Sequence, residues 1–222
     1  MKPFVGAIFD LDGTLLDSMD VWNEIDRIFL SRRGISVPED YLQVVAPMGF
    51  RRAAEYTVER FGLPESVDAL IEEWDALAIE AYQTRVRLKP GAREYLFQLK
   101  RQGVRLAVAT ASREAYFVPA LKNNGIYDCF EAFTSLAEVE RGKGYPDIYG
   151  RAAEKIGTAP AGCVVFEDIL AGVRGAKAGG FYTVAVYDRH ADADRLELER
   201  TADRCIRDFF QLLEEDSCPA SR

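Results

Sequence analysis

Histidine is almost missing: His190 is the only one in 222 residues. Any Ser–His or Cys–His nucleophile pair would have to use it. It stands in the polar stretch YDRHADAD with no nucleophile motif beside it, and reads as an exposed loop histidine. Cysteine is also sparse. Cys129, Cys163, Cys205 and Cys218 form no CxxC pair, and with a single histidine to assist them a zinc site is not expected. No Lys/Arg-rich run occurs, and the formal net charge is −8. That balance argues against a sequence-independent grip on nucleic acid or on an anionic membrane. It does not exclude a phosphorylated small substrate, because a few cations and a metal reverse the field locally. Long apolar runs are missing too. The first one, in MKPFVGAIFD, meets an aspartate after seven residues, too short for a signal-peptide core or a membrane span. A reduced, cytoplasmic, monomeric protein is the expectation.

What is present is an alternation of strand and helix patterns. Apolar runs at 4–9, 104–110, 131–135, 163–167 and 182–187 read as strands, with 205–209 as a further edge strand. Four of the first five are nearly continuous in apolar residues, as strands covered on both faces of a parallel sheet are. Helix patterns at 93–103, 113–125, 146–157 and 169–180 lie between them. The last is rich in small residues, which suits a helix packed close to a sheet. Pro119 suggests a bend or a late start in the second. Strand alternating with helix predicts an α/β, doubly wound parallel-sheet core of Rossmann-like type. One interval breaks the alternation: residues 17–33, 50–61 and 64–82 are helical in pattern, with Gly34, Pro38, Gly62 and Pro64 as punctuation. The domain expectation is a core of 1–15 and 88–222 with a small α-helical cap, 16–87, inserted after strand one. Hinges are expected near Leu15–Leu16 and Leu88–Gly91. The tail 214–222 reads as frayed.

Ligands of an open parallel sheet bind at the carboxyl ends of its strands. Asp10 and Asp12 follow strand one, Thr110, Ala111 and Ser112 end strand two, and Glu167 and Asp168 end strand four. Lys143 precedes the helix that leads to strand four. Four carboxylates in one cleft repel unless some protonate or a cation sits among them. Oxygen-only ligands favour a hard ion, and Mg²⁺ is the usual one beside phosphate. One aspartate is then free to act as a nucleophile toward phosphorus, and the second, two residues on, as general acid and base. Gly13 lets the backbone turn toward the ligand.

FDLDGTLLDS, VATAS, GKGYPDIYG and FEDILAGVRGAKAGG resemble, in order and spacing, the four successive motifs of the haloacid dehalogenase superfamily. The match runs from residue 4 to about 187. The resemblance implies that Asp10 attacks phosphorus and helps bind Mg²⁺. Asp12 would serve as the acid and base, with its backbone carbonyl on the metal. Thr110 and the Ala111 amide would hold the phosphoryl group, Lys143 would brace it, and Asp168 with Glu167 would complete the metal site. The helical insertion resembles the family's cap, and the FED form resembles sugar-phosphate phosphatases and β-phosphoglucomutase. One departure stands out: Gly144 follows Lys143 where the family usually has proline. Glycine frees the backbone that proline would fix.

Plainer readings accompany these. Asp10 and Asp12 suit a capping pair or a loop calcium site, Glu167–Asp168 a helix cap, and Ser112 a cap for the following helix. Asp17 and Ser18 read as helix-start residues. Trp22, Trp74, Tyr56, Phe61 and Tyr82 read as cap core. Met48-Gly49-Phe50-Arg51-Arg52 reads as a specificity loop in which an arginine meets a second phosphate or a sugar hydroxyl. The leading activity is Mg²⁺-dependent hydrolysis of a small phosphate monoester through an aspartyl-phosphate. Dehalogenation is disfavoured because that branch lacks the second aspartate. A β-phosphoglucomutase-type mutase is the alternative, but that branch has a histidine twelve residues after the nucleophile, where this chain has Trp22. A binding or regulatory protein that uses the fold without turnover is the third reading.

Overall fold

The structure, a computed structural model, describes residues 3–45, 48 and 50–217. Gly49, Cys218 and residues 218–222 of the tail lie outside these. Two compact units divide the chain: Met1–Met19 with Val86–Arg222, and Asp20–Arg85.

The first unit is built on six parallel strands in the order β5-β4-β1-β6-β7-β8. They are β1 (Gly6–Phe9), β4 (Arg105–Thr110), β5 (Ala132–Ser135), β6 (Cys163–Glu167), β7 (Tyr182–Val186) and β8 (Arg204–Ile206). The sheet interior is apolar on both faces: all four residues of β1 and all five of β6 are buried. The chain builds outward from β1 through β4 to β5, then returns to lay β6 on the other side of β1. That reversal puts the carboxyl ends of β1, β4 and β6 side by side, at the position where open α/β sheets bind ligands. In register, Phe9 faces Phe166 and Val108, and the rings of Phe9 and Phe166 stack at 4.4 Å.

Helices α5 (Ala92–Arg101), α6 (Glu114–Asn123), α7 (Asp147–Lys155) and α8 (Leu170–Ala178) fill the crossovers. Pro119 lies inside α6, which runs on through it. Ile148, Tyr149, Ala152 and Ala153 of α7 pack with Ile8, Ala107 and Val165 of the sheet. Helices α9 (Arg195–Thr201) and α10 (Phe210–Ser217) complete the unit, so the first residues of the expected frayed tail are helical. Leu16–Asp17 (β2) and Arg87–Leu88 (β3) pair antiparallel, which places residues 16–19 and 86–87 with this unit.

The second unit is all helix: α1 (Val21–Ser31), α2 (Tyr41–Val45), α3 (Phe50–Phe61) and α4 (Val67–Thr84). Phe29 meets Trp74 edge-on at 5.8 Å, and Trp22 meets Phe50 at 5.3 Å. Trp74 and Tyr82 are buried, while Trp22, Tyr56 and Phe61 are half-buried. Helix α1 begins four residues later than Asp17; its N-cap is Asp20. Arg51 and Arg52 stand in the first turn of α3 rather than in a loop, paired with Asp68 and Glu55. Among the described residues no helix is long and apolar enough to cross a membrane.

Candidate active site

The site begins where β1 stops. The Asp10 N–H still donates to Phe166 O at 3.0 Å, so the chain leaves the sheet with Asp10 level with the end of β6. A tight turn follows, with the amides of Thr14, Leu15 and Leu16 all directed at Leu11 O. Gly13 takes φ +84° in that turn, and a Cβ there would lie 2.2 Å from Asp168 Oδ2. Glycine is therefore required twice, once for the dihedral and once for the close approach of Asp168.

Asp10, Glu167 and Asp168 each offer a carboxylate oxygen, and these lie within 4.8 Å of one another. All three are buried. Lys143 Nζ bridges the first two: it pairs with Asp10 Oδ1 and lies 2.6 Å from Glu167 Oε1. The Thr14 hydroxyl lies 2.9 Å from Asp168 Oδ1 and 3.2 Å from Asp10 Oδ2. The Tyr149 hydroxyl donates to Glu167 Oε1 at 2.8 Å, while Glu167 Oε2 is buried with no hydrogen-bond partner among the described residues.

Three carboxylates against one ammonium leave the cluster short of positive charge. Burial therefore pushes the Asp10 carboxyl up to about 6, against the opposing pull of Lys143. It raises Asp168 well above the ordinary range, with Asp10 and Glu167 adding to the rise. Burial works against the Lys143 charge, but Asp10 and Glu167 outweigh it and hold the ammonium protonated. The Tyr149 phenol is driven upward by burial and by Glu167, and so stays a neutral donor. An all-oxygen donor set with excess negative charge and an unpartnered buried oxygen fits a hard divalent cation.

The remaining sequence-predicted residues fall as follows. Asp12 is half-buried, two residues past Asp10, and accepts from the Ser18 hydroxyl at 2.6 Å. Ser18 is buried and does not start a helix. Thr110 closes β4, fully buried, and its Oγ1 accepts the Ser112 N–H at 3.0 Å. Ala111 beside it is exposed. Ser112 is not a cap: α6 is preceded by Arg113, which makes no side-chain cap bond. Nor do Glu167 and Asp168 cap α8, whose N-cap position is Ile169. Arg51 and Arg52 belong to the second unit and are exposed. His190 sits in a short 3₁₀ stretch with Nδ1 2.9 Å from Asp188 Oδ1, and Lys89 holds the other oxygen of that carboxylate. Cys129, Cys163 and Cys205 are free thiols. Thr14, Ser18 and Tyr149 support these acids although the sequence reading assigns them no part in the site: Thr14 and Tyr149 are not singled out there, and Ser18 reads only as a helix start. The first two lie inside FDLDGTLLDS, and Tyr149 ends the PDIY run after Lys143, where it reads as ordinary helix core.

The sequence profile of the haloacid dehalogenase-like hydrolases matches residues 5–180. Hexitol phosphatase A of Escherichia coli is 33% identical over 193 residues, 86% of each chain. The bifunctional riboflavin kinase/FMN phosphatase of Arabidopsis thaliana is 33% identical over 182 residues, and the match spans 81% of this chain but 48% of that longer protein. Among solved structures, one from Thermotoga maritima, provisionally described as a β-phosphoglucomutase, superposes with a TM-score of 0.85. It is 25% identical and the match covers 95% of this chain and 98% of that one. With the profile covering most of its length, and the motifs converging on one sheet edge, this chain belongs to the haloacid dehalogenase-like hydrolases.

Proposed function

We propose that the protein is a Mg²⁺-dependent phosphatase of small phosphate monoesters, sugar phosphates foremost, working through an aspartyl-phosphate on Asp10. The observation that carries this reading is the Lys143 bridge between Asp10 and Glu167, with Asp168 beside them, at the joined ends of β1 and β6. The names of the relatives support the substrate class: a hexitol phosphatase and an FMN phosphatase both act on phosphorylated small molecules.

In this reading an Asp10 oxygen attacks phosphorus as the ester P–O bond breaks. Asp12 gives its proton to the departing alkoxide. Asp12, now a carboxylate, takes a proton from water, whose oxygen attacks phosphorus. The Asp10–phosphorus bond breaks, and inorganic phosphate and the free carboxylate are left. The Ser18 hydroxyl steadies Asp12 between these two duties. Thr110 and the Ala111 amide hold phosphoryl oxygens, and Lys143 balances the charge gathering on them. Asp10, the Asp12 carbonyl and Asp168 would hold Mg²⁺, with Glu167 adjoining. Bound there, the ion supplies charge neutralisation for an anionic nucleophile meeting an anionic ester. Arg51 and Arg52 are our candidates for contacting a sugar hydroxyl or second phosphate.

A phosphatase is favoured over a mutase because the position twelve residues after Asp10 is Trp22, an aromatic packed on Phe50 and unable to relay a proton as histidine does. The test is a panel of hexitol, hexose and nucleotide monophosphates with p-nitrophenyl phosphate, assayed with Mg²⁺ and with EDTA, beside Asp10→Asn. Inorganic phosphate should appear only with Mg²⁺ and only with Asp10 intact. Isomerised β-glucose 1-phosphate in place of phosphate would turn the reading to the mutase. Release unaffected by Asp10→Asn would end it.

A further inference from the structure

The Glu167 carboxylate is clamped from three sides. Oε1 accepts from Lys143 Nζ at 2.6 Å and from the Tyr149 hydroxyl at 2.8 Å, which uses both of its lone pairs. Gly172 of α8 backs the group: a Cβ there would fall 2.4 Å from Glu167 Cδ and 2.5 Å from Oε2. Tyr149 is itself fully buried, and its ring meets Phe181 edge-on at 6.3 Å. The phenol is therefore fixed by packing before it makes its bond. A buried hydroxyl without a partner is costly, so the bond also holds in the other direction.

We propose that Tyr149 is a positioning residue for the phosphoryl-transfer site: its hydroxyl fixes the Glu167 carboxylate, and through it the place of Lys143 against Asp10. This rests on the phosphatase reading above. The lysine is shared between two carboxylates, so its place depends on both. Asp10 must be free to engage phosphorus during turnover, and the steadier of the two anchors has to be Glu167. A second lysine or arginine would fix Glu167 too, but would add charge to a cluster whose remaining negative charge suits a cation. A neutral phenol fixes the carboxylate and leaves that charge unchanged. Phenylalanine fills nearly the same volume, so Tyr149→Phe removes the bond and little else.

The test is a double-mutant cycle of wild type, Tyr149→Phe, Glu167→Gln and the pair, on p-nitrophenyl phosphate. Tyr149→Phe should lower kcat about tenfold, the worth of a hydrogen bond to a charged group, with KM within twofold of wild type. In the Glu167→Gln background the same substitution should change kcat by less than twofold. Wild-type kcat in Tyr149→Phe, or an equal loss in both backgrounds, overturns the proposal, because a merely structural tyrosine would act independently of Glu167. The same cycle is read by the Mg²⁺ concentration that half-stabilises each unliganded protein against heat. A midpoint moved by Tyr149→Phe only when Glu167 is present supports the proposal, and unmoved midpoints refute it. This second reading stands even if the wild type hydrolyses no ester, which would sink the phosphatase reading separately. Should the Phe protein not fold, Tyr149→Met takes its place in both cycles.

Discussion

A single methyl group added at Gly175 should disable the site from outside it. Gly175 lies buried in α8, and a Cβ there would fall 2.0 Å from Lys143 O, with Tyr145 O at 2.8 Å and Tyr145 N at 2.9 Å. All three are backbone atoms, so no rotamer change relieves the clash. Regaining ordinary contact at 3.4 Å requires the lysine loop or the helix to retreat by about 1.4 Å. Overpacking of this kind costs about 1–3 kcal/mol. The functional cost should be larger in proportion, since a misplacement of about 1 Å in a positioned group lowers rate by about 100-fold. Gly175→Ala should therefore lower kcat for p-nitrophenyl phosphate roughly 100-fold with a loss of only a few degrees in Tm. Gly150→Ala is the matched control. It sits inside α7 with nothing among the described residues within 4 Å of its would-be Cβ, so it should gain about 0.5–1 kcal/mol of helix stability and keep its activity. If Gly175→Ala turns over at the wild-type rate, α8 does not seat Lys143 and the account of the site fails at that point.

Asp26, buried in the helical unit beside the Tyr41 hydroxyl at 3.3 Å, is pushed by burial from 3.8 to about 6. Its protonation stabilises the fold by up to roughly 3 kcal/mol, fully below pH 3.8 and progressively lost as pH rises through 6. Asp26→Asn should flatten that dependence and stabilise the protein above pH 6. Urea unfolding followed by tryptophan fluorescence reads this unit directly, because both tryptophans, Trp22 and Trp74, lie in it; parallel curves for the two proteins from pH 4 to 7.5 would refute the assignment. Asp10 is raised to about 6 and Asp168 lies well above the ordinary carboxylate range, so the metal-free protein should lose stability as pH climbs from 3.8 through the Asp10 value and beyond. Thermal stabilisation by millimolar Mg²⁺ should accordingly grow between pH 5 and 7.5 and vanish in Asp168→Asn. A shift of equal size at both pH values, or one that survives in Asp168→Asn, would remove the carboxylate cluster as the metal site.

The sheet was legible because its strands are covered on both faces and so spell continuous apolar runs; CVVFE is a strand over the same five residues. What escaped notice was short. The β2–β3 ribbon is two residues on each side, and α2 is five residues long, too little for either period to declare itself. Helix starts moved inward for a related reason: Asp17 and Ser18 have the composition of a cap, but Leu16–Asp17 is taken up by pairing with Arg87–Leu88, a partner seventy residues away in sequence.

The acids of the site were legible for a topological reason, since each follows a strand and parallel strands end at one edge. Their supports were not. Thr14 finds Asp168 across 154 residues and Tyr149 finds Glu167 across 18, pairings that depend on how helices settle on the sheet and leave no local trace. The α8 glycines are the instructive case. Read by composition they suit any helix packed close to a sheet. In the structure two of them act at distinct points, Gly172 against the Glu167 carboxyl and Gly175 against the Lys143 backbone. This also answers the departure at Gly144. That glycine has nothing among the described residues within 4 Å of its would-be Cβ and places no restraint on the loop. The restraint a proline ring would supply from within the loop comes instead from α8 beneath it and from the two carboxylates that share Lys143. A Gly144→Pro substitution is thus not needed to order the lysine, whereas any side chain at Gly175 would press on the Lys143 and Tyr145 backbone.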